Sequence, residues 1–346
     1  MRRFFVPLSA GALAGCMLCF PQEAVQASFD ACRLWAVAVL PGLFPFLICM
    51  LLVTGHLKRS GRNADNRFFG LPGAACPVLF MGWLSGSPGG ARLALELFRM
   101  KQCGLDAMKR LALYTGTMSP MFIVATLGGW LGDIRLGWLM LLSHLLAAFV
   151  TGQLSRFFFH CKSLPDAAQA DTPPPTLGQV MQNAALAMLT VCGCMVVGGV
   201  AAKMVSLAIT GLSPAALAGL KTALEVTTGC NDIVALQLPA QLPGLRPALV
   251  CAAVSFSGLS ILLQNLAFYQ ETGVQFSFLF RGRLFHALLS FCLCYAFYPL
   301  AADGVQPAYA SQSFQAGGVF PLLPLVWFCC IAYPLLRGKR RNGVKM

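Results

Sequence analysis

The chain has 346 residues, of which 57% are hydrophobic and only 11% charged, with a formal net charge of +13. With a mean hydropathy of +0.70, this composition excludes an ordinary soluble globular protein. The basic residues sit in short loops and at the two ends, which excludes a continuous nucleic-acid-binding surface and matches the charge pattern of membrane proteins.

Apolar stretches long enough to cross a bilayer occur at residues 4–20, 31–54, 111–131, 136–158, 180–209, 248–268, 284–300 and 318–336. They predict about eight transmembrane helices of roughly 20 residues each. The first also reads as a signal peptide, because Arg2 and Arg3 precede it and Ala24–Val25–Gln26–Ala27 resembles a cleavage site. An uncleaved span is the preferred reading.

Charge then sets the orientation. A cytoplasmic N-terminus places Arg2, Arg3, Lys58, Arg59, Arg62, Arg67, Arg99, Lys101, Lys109 and Arg110 on the cytoplasmic side. Arg156, Lys162, Arg281, Arg283 and the basic tail at 337–345 join them, leaving Arg33, Arg92, Arg135, Lys203, Lys221 and Arg246 outside or near broken segments. Both termini are therefore expected in the cytoplasm.

Between the spans lie two segments that cannot be plain helices. Residues 71–92 contain Ser85–Gly86–Ser87–Pro88–Gly89–Gly90–Ala91–Arg92, and residues 215–236 contain Glu225–Val226–Thr227–Thr228–Gly229–Cys230–Asn231–Asp232. Lipid does not tolerate uncovered backbone, so such segments must be enclosed by protein or line a water-filled cavity. Broken helices of this kind mark transporter binding sites.

The polar, proline-rich stretch at 163–175 divides the chain into halves. Each half runs in the same order: a long span, a broken segment, a span with polar residues in its middle, and another span. By charge the halves run in opposite senses. The expected fold is thus an all-α polytopic membrane protein, with two broken or re-entrant segments in an inverted-topology repeat. The expected organisation is an N-terminal span and outer loop at 1–30, a first repeat at 31–158, a cytoplasmic linker at 159–178, a second repeat at 179–301, and an outer loop, span and basic tail at 302–346.

Four polar clusters occupy matching places in the halves: 85–91, 115–120, 225–232, and 255–260 with Gln264 and Asn265. Ser85, Gly86, Ser87, Pro88, Gly89 and Gly90 form the first candidate group; Pro88 removes one donor, and Ser87, Gly89 and Gly90 offer amides at a helix start, which favours an anion. Ser119, Pro120, Ser257, Gly258, Ser260 and Gln264 are the candidates on the later spans, with Gln264 two turns beyond Ser257. Glu225, Thr227, Thr228, Gly229 and Asn231 complete the candidate substrate site. For Glu225 the alternative is a salt bridge to Lys221 four residues earlier, and for Asp232 a place at the outer membrane surface. Arg92 either pairs with a carboxylate substrate or reaches the headgroups. His144 and His286 read as interhelical hydrogen-bonding residues, and Pro41 and Pro45 as a kink.

Most of the 15 cysteines lie in apolar stretches as packing residues. Cys192–Gly193–Cys194 lacks a redox or zinc spacer, and the four histidines show no ligand spacing. No metal site and no cofactor are expected. Nor is an enzyme, since no nucleophile, base and orienting residue fall in a hydrolase order and no phosphate loop is present.

With Leu43–Phe44–Pro45–Phe46–Leu47, Ser85–Gly86–Ser87–Pro88–Gly89–Gly90–Ala91, Ser119–Pro120–Met121–Phe122, Leu224–Glu225–Val226–Thr227–Thr228–Gly229 and Ser257–Gly258–Leu259–Ser260 in this order, the chain resembles the sporulation integral membrane protein YlbJ family. That family groups with nucleoside-recognition, or Gate, domain proteins. The chain departs from its pattern in carrying Ser87 and Gly89 beside the proline, where an aromatic and a bulkier residue are expected. The resemblance implies a protein of the outer forespore membrane of spore-forming bacteria that moves dipicolinic acid towards the forespore. A planar dicarboxylate suits amide-rich helix starts and Ser, Thr and Gln donors. The alternatives are a nucleoside transporter and a non-transporting partner in spore assembly. Beyond the substrate, the expected partners are the lipid bilayer and a coupling proton or sodium ion.

Overall fold

The computed structural model describes residues 2–57, 68–73, 75–159, 176–209 and 211–302. Every element among them is helical: α1 (Arg2–Cys19), α2 (Pro21–Leu34), α3 (Leu40–Leu57), α4 (Ala75–Ser85), α5 (Gly89–Arg99), α6 (Leu105–Thr115), α7 (Gly128–Trp130), α8 (Ile134–Leu154), α9 (Leu177–Ala208), α10 (Pro214–Leu224), α11 (Val226–Ala235), α12 (Leu245–Phe256), α13 (Gly258–Tyr269) and α14 (Phe276–Ala302). Two π-helical turns interrupt the run, Trp35–Val39 before α3 and Phe122–Leu127 before α7.

Local chemistry explains where the helices begin. Thr176 and Gln179 form a reciprocal capping box at the start of α9, with bonds of 3.3 and 2.9 Å. Ser213 caps α10 ahead of Pro214, whose missing N–H falls where a helix has no use for one. Asp133 accepts from the Arg135 amide at 2.8 Å and opens α8.

Four segments are long and apolar enough to cross a membrane: Ile134–Phe157, Leu177–Ala208, Leu245–Tyr269 and Phe276–Ala301. Pro7–Cys19 and Pro21–Val39, bent by 108° between them, form a fifth if read as one broken span. The protein is therefore a polytopic helical membrane protein. The four long segments correspond to the predicted spans at 136–158, 180–209, 248–268 and 284–300.

Elsewhere the expectation of eight spans meets a different structure. The predicted span 111–131 is not one helix, because α6 ends at Thr115 and helix resumes only at Pro120. The predicted span 31–54 straddles the end of α2, a π-turn and most of α3. The predicted span 318–336, the outer loop and basic tail of 302–346 beyond residue 302, and the linker residues 160–175 lie outside the described residues.

Among the described residues, the two largest of four apolar clusters each mix residues from both halves. One joins Phe122, Ile123 and Met140 to Val226, Val250 and Val254. The other joins Leu79, Met108 and Leu111 to Leu262, Tyr269 and Leu279. Neither half buries its own apolar faces alone, so the halves interlock. α12 and α8 both pack along α14, and α2 packs along α9. The two π-turns touch, with the Thr126 hydroxyl donating to the Ala38 carbonyl at 3.2 Å.

A candidate substrate site at paired helix breaks

Four helix breaks come together as two pairs. The first pair joins the α4–α5 break at Gly86–Ser87–Pro88 to the non-helical stretch 116–119 that follows α6. Ser87 donates its amide to the Thr117 carbonyl at 2.7 Å. Gly86 has φ +67, and a Cβ there would lie 2.4 Å from the Ser119 nitrogen, so glycine is required twice over.

The second pair joins the α10–α11 break at Glu225 to the α12–α13 break at Ser257–Gly258. Both Ser257 (φ +73) and Gly258 (φ +67) are left-handed. A Cβ on Gly258 would sit 3.1 Å from the Thr222 carbonyl and the Val226 nitrogen. In each pair, then, a left-handed residue of one break lies against the backbone of the other.

A buried side-chain network steadies the 116–119 break. Arg283 on α14 is only 3% exposed and donates to the carbonyls of Gly116 and of Ala112, the latter at 3.1 Å. Its guanidinium also lies 3.3 Å from His286 Nδ1, whose ring donates through Nε2 to the His144 carbonyl at 2.9 Å. His144 accepts from the Met118 amide at 3.1 Å and meets the Ser255 hydroxyl at 2.7 Å. These partners assign the tautomers, Nδ1–H on His144 and Nε2–H on His286. The expectation that the two histidines bond between helices holds. Arg283, read from sequence as a cytoplasmic loop charge, is instead a buried donor to a helix end. Arg110 departs the same way, buried and donating to the carbonyls of Phe69 and Gly70.

The sequence-predicted residues fall into three groups. Ser85, Ser87, Pro88 and Gly89 from the first half and Gln264 from the second line one cavity of about 160 Å³, with Arg92 beside them. Asn265 closes the junction by donating to the Ser87 hydroxyl at 3.2 Å. Gly86 in the same break and Gly90 in the first turn of α5 are buried.

Thr228 and Asn231 line a second cavity, of about 370 Å³, together with Lys221 and Asp232. The remaining candidates hold the breaks themselves. Glu225, 1% exposed, accepts from the Thr227 amide at 2.9 Å and the Thr228 amide at 2.7 Å, capping α11. Gly229 returns its amide to the Glu225 carbonyl at 3.1 Å. Ser119 accepts from the Phe122 amide at 3.3 Å, just beyond Pro120, and the Ser257 hydroxyl donates to the Val254 carbonyl.

One of the sequence-based alternatives resolves. Lys221 does not pair with Glu225 but with Asp232, at 2.6 Å. Arg92 pairs with Glu96 at 3.4 Å, with its side chain 40% exposed. Asn183 and Thr190 on α9 also line the first cavity; polar residues in so apolar a helix were the signal for them.

Helix α13 carries a further feature. The Ser260 hydroxyl, the Gln264 side-chain nitrogen Nε2 and the Asn265 side-chain oxygen Oδ1 are buried and have no hydrogen-bond partner among the described residues. Ser260 and Gln264, four residues apart, share a helix face, and Asn265 lies about 100° round the helix from Gln264. Leaving such groups unmet costs about 1–3 kcal/mol each.

Among curated proteins, the chain is 30% identical over 152 residues to the sporulation integral membrane protein YlbJ of Bacillus subtilis (strain 168). The matched stretch covers 42% of this chain and 37% of that protein, little more than a third of the relative's length. No protein-family model matches, and no solved structure matches.

Proposed function

We propose, from the premise that the chain belongs with the YlbJ sporulation membrane proteins, that it is a carrier for a small organic anion, dipicolinate being the cargo the family resemblance implies. One observation carries the reading. Two buried groups on one face of α13, the Ser260 hydroxyl and the Gln264 side-chain nitrogen, lack partners among the described residues and can each donate to an anion, and Gln264 opens onto the cavity at the first break. A ligand that accepts these hydrogen bonds offsets the cost of burying their donors. Arg92 also lines that cavity, and its partly exposed pair with Glu96 is weak enough to give way to a carboxylate of the cargo.

The matching order of elements in the two halves, and the pairing of breaks within each, support an inverted-topology repeat, the architecture of many secondary transporters. The placement of basic residues supports cytoplasmic termini. The name of the relative supports a place in a membrane of the sporulating cell, and the forespore membrane is the location this reading carries. The site does no covalent chemistry: it binds, orients and releases. A nucleoside carrier is the competing reading, favoured by Gln264 and Asn265, which together offer both donors and acceptors.

Uptake of labelled dipicolinate into proteoliposomes, with nucleosides as competitors and with or without an imposed proton or sodium gradient, tests the proposal. Saturable uptake that falls at least tenfold in Gln264→Ala is expected. Inhibition by nucleosides at low concentration moves the assignment to the competing reading. Absence of both activities in folded protein overturns the carrier and favours a scaffold in spore assembly.

A further inference from the structure

The second break has a cavity of its own, of about 370 Å³, lined by Asp30 on α2, Lys203 on α9, Lys221 on α10, and Asn231 and Asp232 on α11. It meets α9 at residues 199–203, whereas the first cavity meets the same helix at 183–190. At 1.5 Å per residue the two are roughly 20 Å apart along the axis of α9. Between them Gly198 faces Glu225 so closely that a Cβ on Gly198 would lie 2.8 Å from the Glu225 Cβ. The two cavities therefore stand at different depths along one spanning helix, with a tight contact between.

The charged lining of the second cavity is balanced, two ammonium groups against two carboxylates. An anion has no surplus of positive charge to enter; it needs a cation released from its present partner. Lys221 Nζ lies 2.6 Å from Asp232 Oδ2, and the pair bridges α10 and α11 across the break. The two side chains are 27% and 28% exposed, and a partly exposed pair is weakly held. A lysine is also a compact charge on a flexible stem that exchanges partners readily.

We infer that the Lys221–Asp232 pair is a latch on the second cavity, opened when a carboxylate of the ligand takes the place of Asp232 on Lys221. The inference rests on the carrier reading above and adds a second anion station to it. Asn231, exposed in the same cavity, supplies a neutral donor for the other end of a dicarboxylate.

Dipicolinate uptake and thermal melting of Lys221→Met, Asp232→Asn and the charge-exchanged double variant Lys221→Asp/Asp232→Lys test it. Lys221→Met is expected to raise KM at least tenfold. Asp232→Asn removes the competing carboxylate and is expected to lower KM severalfold. The double variant is expected to regain the melting temperature of the unsubstituted protein without regaining uptake. Restoration of uptake by the exchanged pair, or an unchanged KM in Lys221→Met, overturns the latch and leaves a structural ion pair. No uptake by the unsubstituted protein removes the carrier reading, and the latch with it.

Discussion

The two broken segments solve one problem by opposite means. Each must interrupt a helix among apolar neighbours without abandoning its backbone groups. At the first break the chain relies on backbone itself: Gly86 turns left-handed against Ser119, and the Ser87 amide bonds the Thr117 carbonyl. At the second a side chain serves, the Glu225 carboxylate taking the amides of Thr227 and Thr228. The backbone solution keeps its serines, with Gln264, on a cavity wall. The carboxylate solution leaves Glu225 fully engaged and moves the exposed charge to Lys221 and Asp232. A helix break thus recruits either its backbone or its side chains to structure, and what remains faces the cavity.

Substitutions that attack the two solutions separate them. Gly86→Ala carries the largest expected effect, since it imposes both an unfavourable φ and a clash with backbone. A loss of order 3 kcal/mol is expected, read as a fall in melting temperature in detergent; a change below 1 kcal/mol would show that the first break yields where the structure has it rigid. Arg283→Met comes next, because it strips the Gly116 and Ala112 carbonyls of a buried donor. The expected cost is about 2 kcal/mol, with melting of Arg283→Lys falling between the two.

Glu225→Ala removes a cap and is expected to cost about 1–2 kcal/mol, with Glu225→Gln milder because its amide oxygen still accepts. Uptake abolished in Glu225→Gln at unchanged stability would return the carboxylate to the substrate. The smallest effect belongs to Arg92→Gln. Its exposed pair with Glu96 contributes less than about 0.5 kcal/mol, so stability stays level, while KM for an anionic cargo rises severalfold and that for a neutral one does not.

The breaks were legible in the sequence because Gly, Ser and Pro among apolar residues have no other economical place in a membrane. All four polar clusters fall at breaks, including 115–120, which the hydropathy of 111–131 had hidden within a single expected span. Distances along the chain misled where the chain turns. Lys221 and Glu225 have the spacing of a helical pair, but α10 ends at Glu225 and Lys221 reaches instead to Asp232 on the next helix. The sequence reads Arg110 and Arg283 as loop charges because an arginine usually ends an apolar stretch. Their guanidiniums instead serve carbonyls freed by irregular backbone some forty and more than a hundred and sixty residues away. That demand exists only once the helices are assembled.

The two π-turns carry a mechanical consequence. Such a turn holds one residue more than the α-helix it interrupts. Winding that residue into regular helix rotates everything beyond it by about 100° and advances it by about 1.5 Å. One turn leads into α3, which borders the first cavity through Leu43 and Leu47, and the other leads into α7 and α8. Because the Thr126 hydroxyl donates to the Ala38 carbonyl, neither turn can rewind without breaking or carrying that bond, which ties the approach to α3 at the cavity wall to the approach to α7.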